Sequence, residues 1–426
     1  MFVLIALHVP VAVAMAITGV VCFGIMNGDL PLAFKILGSE APGILSSIDL
    51  AVIPMFLLMG GFATAAGLSR DIYRLAHAFI GQMRGGLALA TIAACAGFGA
   101  ISGSSIATAA TMTRVAFPEM MRLGYSPQLA AGSVAGGGSL GIIIPPSIIM
   151  VLYAILTEQS VLAMFLAGVV PGIMAVAYYF VAIAVTVRLN PAAGPAAAPY
   201  DWPARRRACV RSWRVVLLAV LVSGGIYGGV FTVNEAAAIG AGLAFLFYVA
   251  SGRAGRKGFL EVLGEAAGTT SMIYMVILGA STMTYFVAIS QAPSLVIDWI
   301  VAQDLPRFVV LLFLMVLFLI LGSVFDTTAG MVITLPFVFP LVTGLGYDPV
   351  WWGVMMVVLI EVGMITPPIG LNVFVMHGML PEVPLRVIFR GIVPFLLADI
   401  ARLLTIAALP DLVTYLPRTM GFMSGF

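Results

Sequence analysis

Asp326 is the only charged residue between Arg307 and Asp348, a stretch otherwise made of apolar, glycine and hydroxyl residues. A carboxylate in such surroundings is costly and is a functional candidate by default. It would repel an anion unless a cation sat beside it, so the chemistry it points to is cation binding. The alternatives are a cap on the helix that starts after it and a protonatable relay. Thr327 and Thr328 follow it directly. A second small, hydroxylated break, Ser102-Gly103-Ser104-Ser105, interrupts another apolar run. Half-helices starting at such breaks point unpaired N–H groups inward, and these suit an anionic group. Two double prolines, Pro145-Pro146 and Pro367-Pro368, remove backbone donors and interrupt their own helices. The carbonyl oxygens left free near Gly141, Pro145, Gly363, Thr366 and Pro367 are suitable Na⁺ ligands. We therefore assign Ser102, Gly103, Ser104, Ser105, Thr327, Thr328 and Asn372 to substrate. Asp326, Ser104, Gly141, Pro145, Gly363, Thr366 and Pro367 are assigned to Na⁺. Glu361, just before the second proline pair, is a further cation candidate. Asp399 and Arg402, three apart in the last apolar segment, are expected to neutralise each other.

The elements that carry these residues must lie in a bilayer. Of 426 residues, 62% are hydrophobic and 9% charged, and the mean hydropathy is +1.14. Soluble domains carry about 25% charged residues, so this chain could not cover a water-facing surface. No Asp, Glu, Lys or Arg occurs in 1–28, 86–113, 123–157, 159–187 or 266–297. Each stretch exceeds the roughly 20 residues needed to cross a hydrocarbon core, and the alternation of a membrane strand is missing. A net charge of +2 without a clustered basic face gives no case for nucleic acid. Cys22, Cys95 and Cys209 have no metal-ligand or disulfide spacing, and His8, His77 and His377 lie far apart. No Ser/His/Asp set, HExxH or paired catalytic carboxylates can be assembled, which argues against an enzyme. The apolar N-terminus lacks a basic leader region and is expected to be a retained first helix.

Spanning segments are expected near 2–26, 46–67, 126–155, 160–188, 213–232, 234–250, 266–290, 348–378 and 391–409. Runs 85–118 and 308–342 are too long for one crossing and break near their middles, so they are expected to be re-entrant hairpins. Residues 68–84 form an amphipathic helix, with Leu68, Ile72, Leu75, Phe79 and Met83 on one face and Arg70, Arg74, His77 and Arg84 on the other. It is either a connector on the headgroup layer or an arm between a fixed and a moving part. The linker around Arg205, Arg206, Arg207 and Arg211 is placed in the cytoplasm by the positive-inside rule. Counting from it gives a cytoplasmic N-terminus, a periplasmic C-terminus and short outward loops near 27–45, 156–160 and 291–307.

One register links the two halves. Gly124-Tyr125-Ser126-Pro127 and Gly346-Tyr347-Asp348-Pro349, Gly141 and Gly363, and Pro145 and Pro367 are each 222 residues apart. Phe117-Pro118 and Phe339-Pro340 obey the same shift, as do Ser104 and Asp326. This predicts a duplicated unit. Residues 1–188 hold the first copy, with arm 68–84, hairpin 85–118 and broken helix 126–155. A basic linker, 189–212, leads to the second copy in 213–426, with arm 291–307, hairpin 308–342 and broken helix 348–378. Five crossings between the hairpins predict copies of opposite orientation, the architecture of secondary transporters with a midplane site. A channel is the weaker reading of such hairpins.

From about Pro54 to Pro394 the chain resembles the large, DctM-type membrane subunit of TRAP transporters. The resemblance rests on Gly99-Ala100-Ile101-Ser102-Gly103-Ser104-Ser105, Gly141 through Ser147, Pro171-Gly172, Phe231 through Ala238, Asp326-Thr327-Thr328 and Thr366 through Asn372. It implies an all-α polytopic membrane protein and an elevator-type, Na⁺-driven importer in the bacterial inner membrane. The substrate would be a small carboxylate: a C4-dicarboxylate, sialic acid or another organic acid. A periplasmic binding protein would deliver it, and a separate small membrane subunit of DctQ type would brace the scaffold in the lipid bilayer. The chain departs from the family's usual pattern at Val233, commonly Pro, and in the Asp399–Arg402 pair. The alternative expectation is a stand-alone Na⁺/carboxylate symporter without a binding protein.

Overall fold

Long apolar runs leave the backbone no water to bond with, so its N–H and C=O groups must pair within each segment. The computed structural model describes residues 1–198 and 201–422, and among them every regular element is helical. Among the described residues, seven helices are long and apolar enough to cross a membrane, or eight if one bent pair counts as a single span.

The chain opens with α1 (Phe2–Ala6) and α2 (Val11–Asn27), then α3 (Leu30–Ser46) and α4 (Val52–Ala66). The segment expected at 2–26 is thus split, because Pro10 caps α2 and cannot continue α1. The outward loop expected at 27–45 is instead helical. Asp29 caps α3 by accepting the N–H of Leu32 at 2.9 Å, and Pro31 sits in the first turn, where a missing N–H costs nothing. Next comes α5 (Leu68–Ile80), the expected amphipathic element. Its buried face is Leu68, Ser69, Tyr73, His77 and Ala78, so His77, expected among the exposed arginines, is turned inward, while Phe79 and Met83 stay exposed.

The first hairpin is α6 (Gly86–Ser102) and α7 (Ser105–Val115), continued by α8 (Phe117–Arg122). The first broken helix is α9 (Pro127–Ser139) and α10 (Ile148–Leu156), followed by the long α11 (Val161–Leu189). The basic linker holds a helix of its own, α12 (Trp202–Arg211), bent by 50° from the segment α13 (Trp213–Ala219), a π turn and α14 (Gly225–Tyr227). A capping box, with Thr232 and Glu235 bonding reciprocally, starts α15 (Val233–Ala250). Then α16 (Arg256–Ser290) runs unbroken for 35 residues. It begins ten residues before the span expected at 266–290, and the added turns carry Glu261 and Glu265, which line a cavity. The arm α17 (Ala292–Ala302) leads to the second hairpin, α18 (Arg307–Val324) and α19 (Thr327–Gly344). The second broken helix is α20 (Pro349–Gly363) and α21 (Leu371–Met379), before α22 (Leu385–Ala408) and a short α23 (Asp411–Thr419).

Helix α2 packs along α16, and α15 packs along α4. At the 222-residue offset α2 corresponds to α15 and α4 to the second half of α16, so each half lies on its counterpart's partner. The hairpins and broken helices form a second group, with α6 and α7 against α9, α18 against α20, and α22 along α9. The α9–α22 contact is backbone to backbone: a Cβ on Gly132 would strike Gly391, and one on Gly391 would strike Gln128. Small residues at such crossings replace the hydrophobic drive that lipid removes.

Candidate functional site

Each hairpin turns at a helix N-cap. Gly103, at φ +60°, ends α6, and Ser104 Oγ then accepts the N–H of Ala107 at 3.3 Å to start α7. In the second hairpin, 222 residues on, Asp326 Oδ1 accepts the N–H of Ala329 at 3.0 Å to start α19. The carboxylate does cap the helix, but through one oxygen; the other has no hydrogen-bond partner among the described residues. The two tips meet on one side chain. Ser105 Oγ lies 3.7 Å and Thr327 Oγ1 2.8 Å from the sulfur of Met364, in the second helix break.

The two breaks share a backbone plan, and both Pro-Pro bonds are cis. Their oxygens are used differently. In the first, no hydrogen bond reaches the carbonyls of Gly141 and Ile142 among the described residues. Gly141 lies against the first tip, where an added Cβ would stand 2.6 Å from the Ser104 carbonyl oxygen and 2.8 Å from Thr108 Oγ1. Thr108 Oγ1 also lies 2.9 Å from Ser102 Oγ and donates to the Ser104 carbonyl at 2.7 Å. In the second break, Gly363's carbonyl accepts from Thr366 N–H at 2.9 Å and Met364's from Asn372 N–H at 3.1 Å. Thr366 Oγ1 bonds back to the Val362 carbonyl at 2.6 Å. Pro145 is buried, whereas Pro367 is exposed.

A cavity of about 500 Å³ lies where the tips meet. Gly103, Ser104, Ser105, Asp326, Thr327 and Thr328 line it, with Met364 below and α4 and α16 opposite through Leu57, Thr269 and Met272. Among the described residues Asp326 is its single charged lining residue. Two helix N-termini therefore face a space that no described Arg or Lys lines. A second cavity, of about 580 Å³, shares Leu57, Ser104, Ala107, Ala110 and Thr269 with the first and reaches Ser102, Arg114, Glu261 and Glu265. No three His, Cys, Asp or Glu side chains converge among the described residues, so a cation here would depend on hydroxyl and carbonyl oxygens beside the one carboxylate.

Asn372 does not line the cavity; its amide is fully buried, with neither atom hydrogen-bonded among the described residues. Glu361 turns away from the tips. It is fully buried 3.6 Å from Arg402 Nη2, and the same nitrogen lies 2.8 Å from Asp399 Oδ1. Tyr179 OH donates to Asp399 Oδ2 at 2.7 Å and lies 3.2 Å from Ser139 Oγ. The expected Asp399–Arg402 pair is thus part of a larger group in which one guanidinium serves two carboxylates. Such a group binds α20 and α11 to α22.

Met364 and Tyr179 are not among the residues expected at a site. The offset held a clue to each. Met364 is the counterpart of Ile142, and both line the cavity. Glu361 is the counterpart of Ser139, and both belong to the group around Arg402.

A family model described as the DctM component of the tripartite ATP-independent periplasmic transporter matches residues 1–412. A C4-dicarboxylate TRAP transporter large permease protein, DctM, from Pseudomonas aeruginosa is 37% identical over 376 residues, covering 87% of each chain. A sialic acid TRAP transporter large permease protein, SiaM, from Vibrio cholerae is 29% identical over 397 residues, covering 91% of this chain and 92% of the relative. The crystal structure of the Alcanivorax borkumensis YdaH transporter superposes with a TM-score of 0.68 over 95% of this chain and all of that one, at 14% identity, a likeness of fold alone. The chain is thus no enzyme: it belongs to the DctM family, the large multi-pass permease subunits of TRAP transporters in the bacterial inner membrane, which work with a small membrane subunit and a periplasmic binding protein.

Proposed function

We propose that this subunit carries a small carboxylate inward together with Na⁺, by an elevator movement of the hairpins and broken helices against α2, α4, α15 and α16. The observation that carries the reading is the meeting of two helix N-termini, α7 and α19, in one cavity whose single charge is Asp326. Amide N–H groups and the hydroxyls of Ser104, Ser105, Thr327 and Thr328 suit a carboxylate. Asp326 opposes it, and a bound Na⁺ removes that conflict. The bare carbonyls of Gly141 and Ile142, beside the Ser104 carbonyl, are of the kind that coordinates Na⁺ at helix breaks. C4-dicarboxylates and sialic acid, the cargoes named for the relatives, are both acids, and a cavity of about 500 Å³ has room for a small one. The adjoining cavity, running toward Arg114, Glu261 and Glu265, supports a conformation open to the cytoplasm.

The test is uptake into vesicles holding this chain alone, with the small subunit, and with the periplasmic binding protein added outside. Uptake is expected only with all three and an inward Na⁺ gradient, and K⁺ in place of Na⁺ should abolish it. Full uptake driven by a proton gradient alone would remove the Na⁺ assignment, and robust uptake by this chain alone would remove the need for delivery.

A further inference from the structure

The linker helix α12 lies against α5, held at both ends. Ser212 Oγ donates to the Asp71 carbonyl at 2.9 Å, while Arg205 Nη2 reaches Gln82 Oε1 at 2.9 Å with its guanidinium 5.9 Å from the centre of the Phe79 ring. The two helices therefore run antiparallel. Ala204, Arg207, Ala208 and Arg211 fall on one stripe of α12, at spacings of three and four, and face Asp71 and Arg74, one turn apart on α5. The alanines leave a space of about 420 Å³, edged by three arginines. Among the described residues none of Arg74, Arg207 and Arg211 forms an ion pair, and Asp71 is the single acid lining the space. Burial pushes the Asp71 carboxyl above the usual carboxylate range, against the pull of Arg74, Arg214, Arg253 and Arg211, so two more arginines act on the same spot.

Guanidinium groups held together without a partner repel one another, and an oxyanion that each planar guanidinium can grip through two N–H groups resolves that repulsion. We propose that this pocket binds the phosphodiester of an anionic phospholipid of the cytoplasmic leaflet. Free phosphate offers the same oxygens, but the surroundings favour a lipid. The helices bearing the arginines also expose Trp202, Val210, Trp213 and Val216, and Phe79 and Met83 are exposed on α5 and just after it. Aromatic and apolar side chains beside a basic pocket are what a headgroup with attached acyl chains meets at the membrane surface. The bound lipid would fasten the linker and the arm helix to one leaflet.

The experiment uses the full chain purified with its small membrane subunit. Native mass spectrometry reads retained lipid, and thermal unfolding is followed with added phosphatidylglycerol, phosphatidylcholine or inorganic phosphate. Wild type should retain phosphatidylglycerol in preference to phosphatidylcholine and be stabilised by it, with no shift from millimolar phosphate. Each arginine removed should lower that preference roughly fivefold, so R207Q/R211Q loses most of it. R207K/R211K, which keeps the charge, should retain the larger part. R386Q/R390Q, which removes two exposed arginines elsewhere, should match wild type. Equal retention of the two lipids by wild type would overturn the proposal, as would unchanged selectivity in R207Q/R211Q. Stabilisation by inorganic phosphate without stabilisation by phosphatidylglycerol would overturn the lipid assignment. If R207Q/R211Q fails to fold, R74Q, exposed on the opposite wall, carries the same expectation.

Discussion

The first hairpin and its broken helix, set beside the second, show one backbone plan carrying two chemistries. Both tips are N-caps, but Ser104 is neutral and Asp326 is charged. Both breaks hold a cis Pro-Pro bond, yet the carbonyls of Gly141 and Ile142 are bare while those of Gly363 and Met364 are taken. The residue closing α9 is Ser139, and its counterpart near the end of α20 is the buried Glu361. Caps and breaks need only small, hydroxylated or imino residues, which both halves supply. Charge answers to the neighbours, and these differ between the halves. The first half offers neutral oxygens and the second supplies the carboxylates.

If that division is functional, the two tips must respond unequally to the same insult. Asp326→Asn should have the largest effect, abolishing Na⁺-driven uptake while the protein inserts normally. Asn caps a helix as well as Asp does, so only the charge is lost. Uptake with unchanged Na⁺ dependence would reduce Asp326 to a cap and erase the contrast with Ser104. Next in size is Arg402→Met, which strands Glu361 and Asp399. Removing one member of a buried ion group costs about 3–5 kcal/mol, to be seen as a fall in thermal stability or yield. Adding Glu361→Gln and Asp399→Asn should recover much of that loss, and no recovery would mean that packing, not charge, was broken.

Gly141→Ala comes third, at about 1–3 kcal/mol for overpacking a rigid contact, here with the Ser104 carbonyl. It should also weaken apparent Na⁺ affinity. Gly363→Ala, which strikes Gly322 and not a tip oxygen, should lose stability without that shift. Na⁺ titration of uptake separates the two. The smallest effects are expected from Ser104→Ala, about 1 kcal/mol for a lost cap, and from Thr327→Ala, which loses only a contact with sulfur. Each should slow uptake several-fold, and a double variant equal to wild type would remove the tips from the site.

Part of this is legible in the sequence. Hairpin tips, helix breaks and caps depend on local residue types, so Ser104, Asp326 and the two Pro-Pro pairs mark them in the sequence itself. What escaped notice depends on distant partners or on exceptions to local rules. The outward loop expected near 27–45 contains Pro31 and Pro42, yet a first-turn proline and the Asp29 cap are compatible with the helix found there. Glu361 reads as a lone acid until Arg402, 41 residues away, folds back onto it. Met364 has no polar signature at all, and only the convergence of two tips gives its sulfur a role.

The unbroken length of α16 sets a scale that none of the individual contacts does. Thr269, on the wall of the cavity between the tips, and Glu261, lining the adjoining one, lie eight residues apart on the same helix. At 1.5 Å of rise per residue that is about 12 Å, against a hydrocarbon core of about 30 Å. Beyond Glu261 the helix begins at Arg256 and Lys257, on the face that basic residues mark as cytoplasmic. On the proposed reading, a solute held between the tips would have about 12 Å of this helix left to pass.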